Sequence, residues 1–396
     1  MDRFARERGM KAIAEADQIA GHLSALDGAV AANQHIEASG MRRDKRRVRG
    51  RASAINPAGR FEALSRTEED DGWQSLEDLP PFKTEVQVEQ ARTVITRNQS
   101  PDISFDRSIN PYRGCEHGCV YCFARPTHAY AGLSAGVDFE SKLFVKPDAA
   151  KLLEKEITRK GYEARCIAIG TNTDPYQPIE RDWMVMRSIL EVLERYNHPV
   201  GIVTKSALVT RDIDILSRMA SKGLAKVALS VTTMDRMLAR TMEPRASTPT
   251  KRLEAIRALA DAGIPTSVMV APIIPGLNDH EMERILDAAA SLGATQAGYV
   301  LLRLPLEVAP VFKEWLLRHY PERYRHVMSL IRSMRGGKDY DADWNKRMRG
   351  TGPYAWQIAR RMEIACKRLG LSGRGTALRT DLFVKPAPNG EQLALL

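Results

Sequence analysis

RCIAIGTNTDPYQPIERDWMVMRSILEVLERYNHPVGIVTK, residues 165–205, carries the pattern that decides the fold. It opens on a short apolar run (165–170), crosses a polar loop rich in Gly and Pro, shows helical spacing over 181–196, and returns to a β-branched run at 199–204. Strand, loop, helix, strand in this order implies a right-handed βαβ unit with parallel strands. The same order recurs outward in both directions. Further apolar runs lie near 104–110, 225–231 (AKVALSV), 265–271 (PTSVMVA) and 297–304 (AGYVLLRL), and KRLEAIRALADAG at 251–263 reads as a helix. Six such units make an α/β fold, either a partial (β/α)6 barrel or a doubly wound sheet. Their irregular spacing excludes a solenoid.

Beyond residue 305 the pattern changes. Pro305 and Pro310 interrupt it, and helical stretches follow at 310–335 and 354–369, the second with Ile358, Met362, Cys366 and Leu369 on one face. At the other end, MRRDKRRVRGR (41–51) sets Arg42, Arg43, Lys45, Arg46, Arg47, Arg49 and Arg51 against Asp44 alone. Like charges repel, so this reads as a solvated tail or an arm that contacts nucleic acid. A short helix near 8–33 precedes it, and an acidic stretch at 66–81, ending in Pro80-Pro81, reads as a linker. The expected division is a basic, partly disordered N-terminal segment (1–80), a β/α core (81–305) and a basic helical C-terminal extension (306–396).

Composition narrows the class. The chain has 396 residues, 43% hydrophobic and 27% charged, as a globular protein does. No apolar run approaches the ~18–20 residues that span a bilayer, and the N-terminus has no secretory pattern, so no membrane partner and a cytoplasmic location are expected. A net charge of +10 favours polyanionic partners, nucleic acid above all.

The chemistry concentrates in SINPYRGCEHGCVYCFARP (108–126), just after the first strand. Three of the five cysteines, Cys115, Cys119 and Cys122, fall within it as C-x3-C-x2-C. They are too crowded for a disulfide framework and read as metal ligands. An iron–sulfur cubane normally takes four thiolates. Three would leave one iron open to a small molecule. Zinc, with His117 or His128 as a fourth ligand, is the competing reading, and would make the chain a zinc-stabilised nucleic-acid-binding protein. Cys166 and Cys366 have no matching spacing and read as small hydrophobes.

The loops at the C-terminal ends of the other strands carry polar residues strand after strand: GTNTDPYQPIE (170–180), TKSALVTRD (204–212), SVTTMDRMLARTMEPRASTPTKR (230–252) and APIIPGLND (271–279). In β/α barrels this rim is where sites are built.

With these residues in view, the C-x3-C-x2-C loop resembles the radical S-adenosylmethionine (SAM) signature. The following loops resemble those of the spore photoproduct lyase-related, photolyase-like branch. Residues 49–385, with NPAGRFE at 56–62, are similar to a bacterial radical-enzyme family near that branch. The resemblance implies a six-stranded partial barrel, a [4Fe–4S] cluster on the three cysteines, SAM on the open iron, and an electron donor such as flavodoxin or ferredoxin. It implies that Thr173 and Asp174 contact the methionine end of SAM, and that Lys205 and Ser230 bind its carboxylate or ribose. Glu243 and Arg252 would lie near the rim, the Ala271 backbone would meet the adenine, and Tyr121 is the catalytic candidate. Two departures matter. Thr171 stands where the spore enzyme has a hydrogen-donating cysteine, and Phe123 where it has a tyrosine, so repair of the spore photoproduct itself is not expected.

Overall fold

Alternate residues along the central strands differ in size, and that difference shapes the molecule. In the computed structural model, which describes residues 50–61, 83–371 and 376–384, six strands lie side by side in chain order: β1 (Arg107–Ile109), β2 (Ile167–Ile169), β3 (Val200–Thr204), β4 (Ala225–Ser230), β5 (Thr266–Ile273) and β6 (Gln296–Leu301). All are parallel, and Ile95–Arg97 pairs antiparallel with β1 at the edge. Ile109, Ile167, Ile169, Val200, Ile202, Val227, Leu229, Val268 and Val270 point to one side and are buried in the main core. The opposite row runs Ser108, Ala168 and Gly201 across β1–β3, with Ala228, Ser230 and Met269 further on. Branched residues pack under helices, and small ones leave the concave side open. This is a partial (β/α)6 barrel.

The crossover helices are α1 (Ala149–Ile157), α2 (Val185–Arg195), α3 (Ile213–Ser221), α4 (Pro249–Asp261) and α5 (Met282–Ser291). The helix expected over 181–196 is broken at Met184, whose left-handed φ of 49° separates Glu180–Trp183 from α2. The Glu180 carboxylate then accepts from Met186 N at 3.1 Å, capping α2. Thr248 caps α4, with Pro249 in the first helical turn. After β6 come α6 (Val308–His319), α7 (Tyr324–Ser333) and α8 (Gly352–Leu369), the first two interrupted at Pro321 where one stretch was expected. Ile358, Met362 and Ala365 of α8 enter the main core, and half-buried Cys366 packs against it. Half-buried Cys166 sits at the start of β2.

The expected helix at 8–33 and the linker at 66–81 lie outside the described residues. Arg51, counted above among the solvated basic residues, is instead buried, donating to Thr84 Oγ1 at 2.9 Å and to the Glu140 carbonyl. Ala52, Ser53, Ala54 and Ile55 are buried beside it, so residues 51–55 dock on the barrel.

The far end of the chain closes the barrel's floor. Lys226 Nζ donates to the Thr376 carbonyl at 2.8 Å, Arg379 N to Gly223 O at 3.0 Å, and the Phe383 ring stands 5.4 Å from His198. His198 Nδ1 faces the Pro199 carbonyl at 3.1 Å and must carry the proton, so Nε2 accepts from Tyr162 OH at 2.8 Å. Burial pulls its pKa down to about 4; the Pro199 carbonyl pulls the other way and Arg107 adds to the fall. Between the ordinary value of 6.5 and about 4 only the unfolded chain takes up this proton, so stability drops as pH falls. Going from pH 7 to pH 5 is expected to cost about 2 kcal/mol at this site. Denaturant midpoints of the protein and of His198→Gln should converge over that range; parallel curves would refute the assignment.

Candidate functional site

The cysteine loop is set by two glycines and one arginine. Tyr112–Arg113 pairs antiparallel with Lys142–Val145, which fixes where the loop starts. Gly114 has φ 73°, and a Cβ there would sit 2.6 Å from Leu143 Cδ2. At Gly118, φ 65°, it would sit 2.7 Å from Glu140 Oε2. Only glycine takes that backbone in that space. Successive turns join Gly118 N to Cys115 O (3.1 Å), Cys122 N to Cys119 O (3.2 Å) and Arg125 N to Cys122 O (3.2 Å). Arg125, fully buried, donates to the carbonyls of Cys119 (2.9 Å), Gly118 (3.0 Å), Ala135 (2.9 Å) and Gly136 (2.8 Å), and to Glu140 Oε1 (2.5 Å). Gln177, also buried, accepts from Glu116 N at 2.8 Å and donates to Gly114 O at 3.3 Å.

All three cysteines of the loop line one cavity of about 280 Å³ at the C-terminal ends of the strands. Its other walls include Asp174, Lys205, Ser230, Met269 and Ala271. Asp174 ties these elements together. Its Oδ1 accepts from Thr204 Oγ1 (2.6 Å) and Tyr176 N (3.0 Å), and its Oδ2 from Lys205 N (2.8 Å), with His117 Nδ1 at 3.4 Å. Burial raises its pKa, but His117, the Thr204 hydroxyl and the Lys205 amide together outweigh that and hold it well below the usual carboxylate range. Its oxygens are thus spent on the protein, joining the cysteine loop to β3.

The remaining candidates divide. Lys205 Nζ stands 5.7 Å over the Tyr121 ring inside the cavity, and among the described residues no carboxylate pairs with it. Ser230 and Ala271 form the facing wall. Thr173 turns away: its hydroxyl donates to Tyr112 O at 2.8 Å and it does not line the cavity. Glu243 and Arg252, expected near the rim, are instead a fully buried ion pair. Their charges would be costly apart, and each is saturated: Glu243 also accepts from Thr232 Oγ1 (2.7 Å) and Tyr121 OH, and Arg252 donates to Ser230 O (3.0 Å) and Ser247 O (2.7 Å). Tyr121 lines the cavity with its ring while its hydroxyl is held beneath.

Three thiols lining one cavity are a soft donor set of the kind that holds an iron–sulfur cluster. Burial pushes all three thiols up; neighbouring charges add to this at Cys115, while Lys205 works against it at Cys119 and backbone hydrogen bonds at Cys122. Ligation to a metal cluster would deprotonate them and offset that penalty. Of the two histidines available to zinc, His128 has Nε2 2.9 Å from Lys142 O, while His117 faces Asp174 through Nδ1 and lines the cavity.

The barrel's open side, between the Ile95–Arg97 edge strand and β6, is closed by side chains rather than by a strand ladder. Asp102 accepts from Arg347 Nε and Asn345 N, and Arg347 Nη2 donates to Ser100 Oγ. Ile103 and Phe105 on one bank and Met348 on the other thereby become the cavity's outer wall. None of these residues was singled out from sequence.

The model of the radical SAM superfamily matches residues 109–289, from the end of β1 through most of α5. The chain belongs to the radical SAM superfamily. It is a radical SAM enzyme whose cofactors are a [4Fe–4S] cluster and SAM. An uncharacterised protein of Mycobacterium tuberculosis is 37% identical over 230 residues, 57% of this chain and 68% of that one. Another, of Methanocaldococcus jannaschii, is 30% identical over 251 residues, 62% of this chain and 87% of its own. Among solved structures, spore photoproduct lyase complexed with dinucleoside spore photoproduct superposes with a TM-score of 0.52 at 18% identity. That alignment covers 72% of this chain and 80% of the lyase, and it shows a shared fold. No helix among the described residues is long and apolar enough to cross a membrane.

Proposed function

We propose that this radical SAM enzyme holds its cluster on Cys115, Cys119 and Cys122, cleaves SAM reductively and abstracts hydrogen from a nucleic-acid substrate in the cytoplasm. The observation that carries this reading is the placement of three thiols on one wall of a cavity whose other walls carry Lys205, Ser230 and the Ala271 backbone. A cluster held by Cys115, Cys119 and Cys122 would supply the one electron, drawn from a donor such as flavodoxin or ferredoxin, that splits SAM into methionine and, after hydrogen is taken from the substrate, 5′-deoxyadenosine. The protein's part is binding and shelter. Lys205 pairs with the carboxylate of SAM, Ser230 with a ribose hydroxyl, and the main chain at Ala271 reads the adenine edge. Asp174 keeps the Lys205 strand end against the cysteine loop, acting through its neighbours. Tyr121 packs under Lys205 and positions the wall. The Asp102–Arg347 closure keeps water from the reacting centre. The net charge of +10 supports a polyanionic substrate.

The test is anaerobic. Protein reconstituted with iron and sulfide, reduced, and given SAM should form 5′-deoxyadenosine. Cys119→Ala should lose both bound iron and that product, down to the level of a protein-free control. Wild-type protein that holds a cluster yet forms none would overturn the reading. Product from Cys119→Ala would overturn the ligand assignment.

A further inference from the structure

A second compartment of about 630 Å³ adjoins the first, and its chemistry is different. The two share Ile103, Phe105, Thr171 and Asn172 as a common wall. The first adds the cysteine sulfurs, Asp174 and Lys205 to that wall, whereas the second adds the uncharged polar groups of Thr96, Ser108 and Asn110. Asn110 Oδ1 is buried and has no hydrogen-bond partner, a costly state that a ligand N–H or O–H would relieve. At the outer lip stand Arg113 and Lys146. Arg113 pairs with Glu89 at 2.8 Å, and Lys146 Nζ donates to Asn110 O at 3.2 Å, so the lip keeps one net positive charge and spare donors. Beside it the Tyr130 ring is 70% exposed, with the 64% exposed Phe61 ring 5.5 Å away and Arg60 over both rings. Exposed rings beside cations are what a base stacks on.

We infer that this compartment is a nucleotide site. The phosphate sits between Arg113 and Lys146, the base lies on Tyr130 with its donor edge toward Asn110, and the sugar faces the reaction cavity across Thr171 and Asn172. The inference rests on the radical enzyme reading above and deepens it, because it locates the substrate. The ligand is a nucleotide unit, either free or within a strand.

The test uses the full chain and binding alone. Fluorescence anisotropy with a labelled twelve-residue thymidine oligonucleotide, from 50 to 200 mM salt, is compared for the wild type, Arg113→Gln/Lys146→Gln and the remote control Lys222→Gln/Lys251→Gln; unlabelled thymidine monophosphate serves as competitor. Each phosphate contact on a single strand contributes ~0.7 to the slope of log affinity against log salt. The lip variant should bind about tenfold more weakly, with a slope shallower by about 0.7, while the control is unchanged. A slope difference isolates the lip from any other basic segment. Oligonucleotide binding that the lip variant leaves intact overturns the inference and spares the nucleic-acid reading. Binding of the monophosphate alone, weakened by the lip variant, upholds the compartment and overturns the nucleic-acid reading. Failure of the wild type to bind either probe overturns both. A third variant, Asn110→Ala, should weaken both probes without changing the salt slope, because it removes an uncharged contact; a changed slope or undiminished binding would count against the assigned base position.

Discussion

Arg125→Ala is expected to cost the protein about 3–5 kcal/mol and, with it, the ability to hold a cluster. The side chain is fully buried and every one of its hydrogen bonds is to the cysteine loop, to the Ala135–Gly136 turn, or to Glu140, with the Phe139 ring beneath the guanidinium. Removing it strands the Glu140 carboxylate in a dry interior. That carboxylate also accepts from Ala52 N and Ser53 N at 3.0 Å each, so the docked N-terminal segment is released together with the loop. Arg125→Lys should recover little. An ammonium keeps the charge but cannot reach carbonyls on two sides of the loop with one planar fork. Arg125→Met with Glu140→Gln should be less harmful than Arg125→Met alone, since the second change removes the stranded charge. Denaturant unfolding of the apo protein under reducing conditions, followed by iron retained after reconstitution, measures both effects. An unfolding midpoint for Arg125→Ala equal to that of the wild type would show that the loop is held by something else.

Arg125 also shows where sequence reading stops. The cysteines could be read because their spacing is chemically rare, and the strands because branched residues alternate with small ones in RCIAIG and AKVALSV. That alternation gives the barrel its packed convex side and its open concave side, and both follow from residue size. A charged residue in a loop has no such signature. Arg125, Glu140, Gln177 and Asp102 look like surface residues in the sequence, and only the closure of the chain over them reveals which charges lost water. The same blindness runs the other way at Arg51, whose six basic neighbours argue for solvent although it is buried against Glu140. Thr173 was chosen for its hydroxyl, but Tyr112 O takes that hydroxyl, while Thr171 and Asn172 of the same loop face the cavity. Loop composition tells that a rim is polar. It does not tell which residue of three points inward.

Glu243→Ala is expected to be nearly as damaging as the loss of Arg125, again by about 3–5 kcal/mol, because it leaves the Arg252 guanidinium buried without a counter-charge. Its structural consequence falls at another wall of the cavity. Arg252 fixes the Ser230 carbonyl at the end of β4, and Glu243 accepts the Thr232 hydroxyl proton, holding that hydroxyl 3.1 Å from Ala271 O. The pair therefore sets the spacing between the two strand ends that face the cysteines. Weakened SAM binding should accompany the lost stability, and calorimetric titration of the folded fraction separates the two. Tyr121→Phe makes the informative comparison. It removes one donor from Glu243 but leaves Arg252 and Thr232 in place, so a cost of about 1–3 kcal/mol is expected, with SAM affinity nearly unchanged. If Tyr121→Phe weakened SAM binding as much as Glu243→Ala, the phenol rather than the ion pair would be what shapes this wall. If Glu243→Ala left stability untouched, the pair would have to be hydrated, and the burial of both side chains could not stand.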